Sequence, residues 1–212
     1  SMRILKCAVV TDFSSETLQA ARKKYSLRRS DRYTALVLAA AGKVLDAVPD
    51  VSGDTGVIVA SSFGPHRTTC AFLDDLLDYR EEDVMPTTFS HSVHNAAASY
   101  AASAFGLRGP EFTLTGFENL FYEALRTAEL CGALCSRMLV VSVEENALMT
   151  EEIANHVRRI PPEGAAAFLV SPGESGNGLI FQEDAPELTP FELAERIRNN
   201  QLPVYIGKGK RI

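Results

Sequence analysis

The sequence has no long apolar run and no excess of basic charge, and each shortage argues against a class of protein. Its longest uninterrupted apolar run, residues 35–41, is far shorter than the roughly 20 residues that a membrane-spanning helix needs. The first apolar run, residues 4–10, is short and contains Lys6, so we expect no secretory signal. The formal net charge of −6 argues against general nucleic-acid binding.

Cysteine and histidine are also scarce, with four of each in the chain. Cys131 and Cys135 lie one helical turn apart and His91 and His94 three residues apart, spacings at which two side chains could share a metal ion. No further cysteine or histidine stands close in sequence to complete a zinc site, so we expect no metal and no cofactor. We expect the cysteines to be buried free thiols, which favours the reducing cytoplasm. His94 and Asn95 are expected to form hydrogen bonds in a buried helix interface.

The remaining composition is that of a globular protein. The chain has 212 residues, of which 46% are hydrophobic and 23% charged, enough for one large domain or part of a larger one. Short apolar runs alternate with helical patterns, which predicts an α/β layered domain. The expected strands are 4–10, 55–61, 112–115, 138–143, 165–170 and 179–182. The expected helices are 33–48, 68–77, 91–105, 118–134, 151–158 and 190–199.

A basic segment, RKKYSLRRSDR at residues 22–32, stands out in this acidic chain, with six basic residues in eleven. One interpretation is a solvated loop that leads into a helix capped by Ser30 or Asp31. The other is a docking surface for an acidic partner, steered by charge. The positions of that docking surface would be Arg22, Lys23, Lys24, Arg28 and Arg29.

The stretch GPEFTLTGFENLFYEAL, residues 109–125, predicts a strand, a tight turn and a helix, which is a common way to present a nucleophile. The turn reads Gly116, Phe117, Glu118 and Asn119, and none of these is a serine or a cysteine. A helix N-terminus offers unpaired N–H groups and a partial positive charge, which would lower the pKa of a cysteine there. Glu118 would gain the same stabilisation but is a poor acyl acceptor. Alternatively, it is an ordinary carboxylate of the first helical turn.

Two acidic pairs and a glycine-rich stretch have simpler interpretations. Glu81–Glu82 and Glu144–Glu145 could each serve acid–base chemistry, but the sequence places no partner for them, so we expect solvated loop ends. The stretch GESGNG, residues 173–178, lacks the lysine and the spacing of a phosphate loop. It predicts a turn between two strands.

The stretch PTTFSHSVHNAAASYAASAFGLRGPEFTLTG, residues 86–116, resembles the N-terminal half of the β-ketoacyl synthases. That family commonly shows a Pro–x–x–Phe–Ser segment, a helix with Asn–Ala, and a Gly–Pro pair before the active-site strand. The matching positions are Phe89, Ser90, Asn95, Gly109 and Pro110. The stretches RRSDRYTALVLAAAGKVLDA, TGVIVASSFG, MLVVSVEE and EGAAAFLV follow the family's order, so the resemblance covers roughly residues 3–185.

The resemblance implies a fold and a domain boundary. The fold would be the α/β, thiolase-like N-terminal half, a mixed sheet with helices packed on both faces. Residues 2–185 would form the ketosynthase-like domain. Residues 186–212 would be a C-terminal extension of uncertain packing.

Two departures from the family pattern determine the expected function. The family's nucleophilic cysteine would fall eight residues after Pro110, where this chain has Glu118 between Phe117 and Asn119. The family's catalytic histidines belong to a second half, whereas one histidine, His156, follows Glu118 here and fits no motif. We therefore predict a catalytically silent accessory subunit of fatty-acid or aryl polyene-type polyketide biosynthesis. The chain-length factors of the family are a precedent.

The resemblance also implies partners. In the family, the strand before the nucleophile pairs with its twin across a two-fold axis, which makes Phe112, Thr113, Leu114 and Thr115 interface residues. The partner would be a second copy or a ketosynthase. A single half would leave one helical layer uncovered, and helices 33–48 and 91–105 are the candidates. An acyl carrier protein would be the acidic partner of the basic segment.

Two alternatives stay open. The chain could be an enzyme with altered chemistry at Glu118, such as a decarboxylase or another acyl-thioester activity, although an ionised carboxylate would repel a malonyl carboxylate. It could also be a dimeric scaffold without an acyl ligand.

Overall fold

The structure, a computed structural model, describes residues 1–27, 31–51, 53–157 and 160–209. The strands are β1 (Arg3–Val10), β2 (Gly56–Ala60), β3 (Glu111–Leu114), β4 (Met138–Glu144), β5 (Gly164–Ser171), β6 (Leu179–Phe181) and β7 (Val204–Ile206). The helices are α1 (Ser15–Lys24), α2 (Arg32–Leu45), α3 (His66–Asp78), α4 (Pro86–Ser92), α5 (Ala96–Phe105), α6 (Leu120–Leu130), α7 (Leu148–Ile153) and α8 (Pro190–Arg198). No helix in these ranges is long and apolar enough to cross a membrane.

Five strands form a mixed sheet in the order β1-β5-β4-β2-β3. β2 runs parallel to both β3 and β4, while β5 runs antiparallel to β4 and to β1. β6 and β7 form a separate parallel pair. The carboxyl ends of β2, β3 and β4 therefore meet at one edge of the sheet, where ligand clefts of open α/β sheets lie.

Helices cover both faces of the sheet, as the resemblance implies. Side chains alternate along a strand, so β5 directs Ala165, Ala167 and Leu169 into the apolar cluster of α2 and α5. The intervening Ala166, Phe168 and Val170 enter the cluster of α6 and α8 on the opposite face. Because both of its faces are buried, β5 is apolar almost throughout instead of alternating with polar residues.

Residues 186–209 contribute several side chains to the apolar cluster of α6 and α8. Leu193 of α8 and Val204 and Ile206 of β7 are at most 1% exposed and join the cluster that contains Leu125 and Phe168. The sequence predicted α8 but not β7, whose three residues are too short a run to stand out.

The prediction that helix 33–48 is an uncovered layer is wrong. Eleven of the fourteen residues of α2 are buried within the chain. Its outer side is covered by α1, a helix that the sequence analysis missed because only Leu18 and Ala21 of α1 are buried. α1 begins at a Ser14 cap whose hydroxyl accepts from the Thr17 amide at 3.3 Å. Asp31 caps α2, accepting from the Thr34 amide at 3.0 Å, whereas Ser30 lies outside the described residues.

The predicted single helix 91–105 is two helices, α4 and α5, because the chain becomes extended at Val93. This break lets the His94 ring lie against Gly64, whose φ is +61° and where a Cβ would clash with that ring. His94 and Asn95 are exposed, so their predicted burial is wrong. Of the pair His91 and His94, the buried imidazole is that of His91, which stacks on Tyr100 with ring centroids 5.1 Å apart.

Candidate functional site

A cleft of about 640 Å³ lies at the carboxyl edge of the parallel strands. Ser61 follows β2, Ser142 and Glu144 end β4, and Phe117, Glu118 and Asn119 follow β3. The cleft is therefore assembled from three neighbouring strand ends, the position expected for a site in this kind of sheet.

The turn after β3 presents Glu118 at the mouth of the cleft. Asn119 adopts the left-handed conformation, with φ 55° and ψ 21°, and is the N-cap of α6 without a side-chain capping bond. Glu118 is exposed and precedes this cap, so the interpretation of Glu118 as a first-turn carboxylate is wrong. The first-turn carboxylate is Glu123. A left-handed residue between a strand and a helix gives the sharp bend that the sequence predicted.

Glu144 holds the loop between β2 and α3 in place. Its carboxylate accepts hydrogen bonds from the Ser62 amide at 3.1 Å, the Phe63 amide at 3.2 Å and the Ser61 hydroxyl. The Ser61 hydroxyl oxygen in turn accepts from the Gly64 amide at 2.8 Å. Burial raises the pKa of Glu144 to about 7, and these hydrogen bonds act against the rise.

The neighbouring Glu145 is 1% exposed and belongs to a buried ionic group. Arg32 lies 3.6 Å from the Glu145 carboxylate and 3.4 Å from that of Glu163. Burial raises the pKa of Glu145 to about 7, with the nearby Asp31 charge adding to the effect and Arg32 opposing it. The expectation that Glu144–Glu145 is a solvated loop end is thus wrong, whereas Glu81 and Glu82 are exposed, as predicted.

The far wall of the cleft comes from later parts of the chain. His156, exposed in the turn after α7, lines one side, and Glu187, Thr189 and Lys208 line another. The Lys208 ammonium donates to the Glu123 carboxylate at 2.9 Å, which ties this wall to the first turn of α6 and raises the pKa of Lys208. The mouth therefore carries charged groups of both signs.

The residues of the family motif lie in two places, and none lines the described cleft. Gly109 packs on the backbone of residues 54–56, where a Cβ would clash with the Asp54 carbonyl, and the Pro110 carbonyl accepts from the Val57 amide at 2.8 Å. This pair therefore sets the start of β3 against β2. Phe89 and Ser90 lie exposed on α4.

The predicted interface strand is the edge of the sheet. β3 pairs with β2 on one side and with no other strand of the described chain, which leaves a row of backbone groups available. Phe112 is 36% exposed, Thr113 and Leu114 are half-buried and Thr115 is exposed. The interface itself stays a prediction.

The basic segment is partly neutralised within the chain. Arg22, Lys23 and Lys24 form the last turn of α1, where positive charge complements the helix dipole, and Lys24 pairs with Asp46. Lys23 is exposed. Arg28 and Arg29 lie outside the described residues.

Sequence reasoning placed Glu118 at the mouth and named Glu144 as a possible acid–base residue, but not as part of this site. It missed Ser61 and Lys208. A signal for Glu144 existed, since it ends a strand whose parallel neighbours also deliver residues to that edge. No pattern connected Lys208, 90 residues after Glu118, to the site. The four cysteines are all free; Cys131 and Cys135 are buried, while Cys7 and Cys70 are half-buried. Among the described residues no group of three or more histidine, cysteine, aspartate or glutamate side chains could hold a metal ion.

Comparison with known families matches residues 16–201 to the β-ketoacyl synthase N-terminal domain. No curated protein matches the chain. Solved structures give similar folds. The ishigamide ketosynthase/chain length factor is 24% identical with a TM-score of 0.61, over 71% of this chain and 47% of that one. This chain thus spans about half the length of that relative.

Two further structures share the fold at lower identity. A complex of a ketosynthase (ApeO) with its chain length factor (ApeC) from Xenorhabdus doucetiae matches at 16% identity and a TM-score of 0.67, over 95% of this chain and 91% of that one. A type II acyl carrier protein in complex with its hexaketide-bound ketosynthase (AntDE:AntF) matches at 15% identity and a TM-score of 0.56, over 69% of this chain and 45% of that one. At these identities the likeness shows the fold alone.

Proposed function

The chain belongs to the family of β-ketoacyl synthase N-terminal domains, and from that premise we propose that it is a catalytically silent accessory subunit. It would pair with an active ketosynthase in fatty-acid or aryl polyene-type polyketide biosynthesis. The observation that carries the proposal is the turn after β3, which has the expected bend but presents Glu118 and Asn119 instead of a thiol.

The chemical requirements of a condensation reaction support the absence of catalytic activity. A Claisen condensation needs a thiolate to hold the acyl chain and hydrogen-bond donors for the oxyanion. None of the four cysteines lines the described cleft. Ser61 is 3% exposed, and its hydroxyl donates to Glu144 and accepts from the Gly64 amide, so it is a structural group and not a free nucleophile.

The free edge of β3 supports a partner. A β-strand with one unpaired side is a template for another strand, and Phe112 adds exposed apolar surface beside it. Pairing across a two-fold axis would join two such sheets into one. The structures named above include a ketosynthase with its chain length factor, which is the kind of assembly proposed here.

Reconstitution tests the proposal. The purified chain, an active ketosynthase from the same genome, and a carrier protein loaded with malonyl and acyl groups are incubated separately and together, and products are measured by mass spectrometry. We expect no condensation by the chain alone, and turnover or a change of product length when the ketosynthase is present. Condensation by the chain alone would contradict the proposal, and no association with either protein would favour a dimeric scaffold.

The surviving cleft favours a second candidate, an acyl-thioester activity that depends on Glu118. The cleft is large enough for a small ligand and brings His156 and Lys208 to the same mouth as Glu118. If this candidate is correct, the chain alone releases CO₂ or free acid from a loaded carrier, and Glu118→Gln abolishes the release. Glu195→Gln, a change on the exposed side of α8, is the control.

Carrier docking on α1 is part of the same proposal. Lys23 is exposed and Arg22 half-buried beside it, so they could meet an acidic carrier protein by charge steering. Lys23→Glu should weaken carrier binding, most clearly at low salt. Lys6→Glu, on β1, is the control for the change in net charge.

A further inference from the structure

Two sulfur-containing side chains meet outside the cleft, where α3 contacts α7. The Cys70 thiol of α3 donates a weak hydrogen bond to the Met149 thioether of α7, with the two sulfur atoms 3.6 Å apart. Two sulfur ligands that each lie about 2.3 Å from one metal ion, at tetrahedral or trigonal angles, are roughly 3.8–4.0 Å from each other. The two sulfur atoms are therefore already close to the separation that a shared metal ion requires.

His66 supplies a nitrogen donor on the same face of α3. It precedes Cys70 by four residues, and side chains at positions i and i+4 of a helix are neighbours on its surface. The two histidines of the HExxH zinc motif bind one ion at this spacing. The Cα–Cβ bonds of a helix tilt towards its N-terminus, which brings the Cys70 side chain towards the turn that begins at His66.

The hydrogen bonding of His66 leaves one ring nitrogen with a free lone pair. Its Nδ1 lies 3.2 Å from the Gly64 carbonyl oxygen, which can only accept, so Nδ1 carries the proton and Nε2 does not. His66 is 4% exposed, and Nε2 is buried without a hydrogen-bond partner in the described chain. Histidines that bind metals commonly donate their other N–H to a backbone carbonyl in the same way. Burial also lowers the pKa of His66, which favours the neutral imidazole that binds metals.

The chemistry of the three donors determines which metal they suit. Thiolate and thioether sulfur are soft ligands that select Cu(I), and imidazole also binds copper. Zn²⁺ is bound by cysteine, histidine and carboxylate side chains, and a thioether is not among its usual ligands. Cys70 is half-buried and Met149 is 43% exposed, so an ion can reach the two sulfur atoms from solvent.

We propose that His66 Nε2, Cys70 Sγ and Met149 Sδ form a three-coordinate site for a monovalent copper ion. The ion would replace the thiol proton of Cys70, so binding releases one proton to solvent and forms two metal–sulfur bonds and one metal–nitrogen bond. The buried imidazole nitrogen would thereby gain a partner, and α3 would be joined to α7. The inference does not depend on the proposed function, because none of the three residues lines the described cleft.

Anaerobic titration of the reduced full chain with Cu(I), in competition with a chromophoric Cu(I) chelator, tests the inference. We expect the wild type to retain a single Cu(I) ion. Cys70→Ser and Met149→Leu should each weaken binding about tenfold or more, since even the loss of an outer-shell partner has effects of that size. Cys7→Ser, which removes a half-buried thiol from β1, is the matched control and should bind as wild type.

Two further measurements separate loss of a ligand from loss of the fold. Thermal unfolding without copper shows whether each variant is folded, and Met149→Leu keeps an apolar side chain of similar volume. Added Cu(I) should raise the melting temperature of the wild type and of Cys7→Ser, but not that of Cys70→Ser. X-ray absorption of the copper-loaded wild type should show one nitrogen and two sulfur neighbours.

The same measurements can contradict the site in three ways. If the wild type retains no Cu(I) even against a weak chelator, the contact between Cys70 and Met149 is a hydrogen bond and nothing more. If Cys70→Ser retains the ion while Cys131→Ser loses it, the ligands are the buried thiols of Cys131 and Cys135. If Met149→Leu binds Cu(I) as tightly as the wild type, the thioether is not a ligand and the proposed donor set is wrong.

Discussion

Helices α2 and α3 have almost the same length, fourteen and thirteen residues, and opposite environments. Eleven residues of α2 are buried between the sheet, α1 and α5, whereas α3 buries His66 and exposes three leucines. Composition suggested that the nearly all-apolar α2 would need a partner. The structure shows instead that α2 is covered within the chain, whereas most of the amphipathic α3 is not.

The largest expected effect comes from truncating one leucine in each helix, which tests whether α2 is buried and α3 exposed in the free protein. Leu36 of α2 is 0% exposed and Leu77 of α3 is 84% exposed. Leu36→Ala should lower the free energy of unfolding by about 2–5 kcal/mol, because it removes buried methyl groups and leaves a cavity. Leu77→Ala in the isolated chain should change it by less than about 0.5 kcal/mol. Urea denaturation of both variants measures the difference, and equal losses would show that α3 is covered in the free protein.

The second prediction concerns the loop between β2 and α3. Glu144 holds this loop in place by accepting hydrogen bonds from Ser61, Ser62 and Phe63. A carboxyl pKa raised from 4.5 to about 7 by folding means that the neutral form is favoured in the folded protein. The associated stability is fully present below about pH 4.5, and it is lost as the pH rises through about 7. The whole change corresponds to about 3 kcal/mol.

Glu144→Gln removes this titration. The free energy of unfolding of the wild type should therefore fall relative to that of Glu144→Gln between about pH 5 and pH 8, measured by urea denaturation at each pH. The contribution of Glu145 persists in both proteins and cancels in the difference. Glu195→Gln should follow the wild type, and parallel curves for wild type and Glu144→Gln would show that Glu144 is ionised in the folded state throughout.

The contrast between the two helices also shows what sequence can predict. Six of the seven described strands were predicted nearly to their ends, because buried strands such as β5 have continuous apolar runs, whereas β7 was missed. The bend at Asn119 was predicted from its strand–turn–helix pattern. The sequence did not predict that α1 covers α2, because α1 has two buried residues and therefore gives little periodic signal. The burial of Glu144 and Glu145 depends on a loop and an arginine distant in sequence, which local pattern does not reveal.

The smallest predicted effect concerns the bond between the two helices themselves. Asp31 caps α2 and also accepts a hydrogen bond from the Thr68 hydroxyl of α3 at 2.7 Å. Thr68→Val removes this bond but leaves the cap, so the free energy of unfolding should fall by about 1 kcal/mol or less. The amides of α3 should exchange faster with solvent while those of α2 keep their protection, because local opening of α3 becomes easier. Thr127→Val, which removes a hydroxyl bonded to the Glu123 carbonyl within α6, is the control. Unchanged hydrogen exchange in α3 would mean that α3 is held in place by its packing on α4 and not by its bond to the cap of α2.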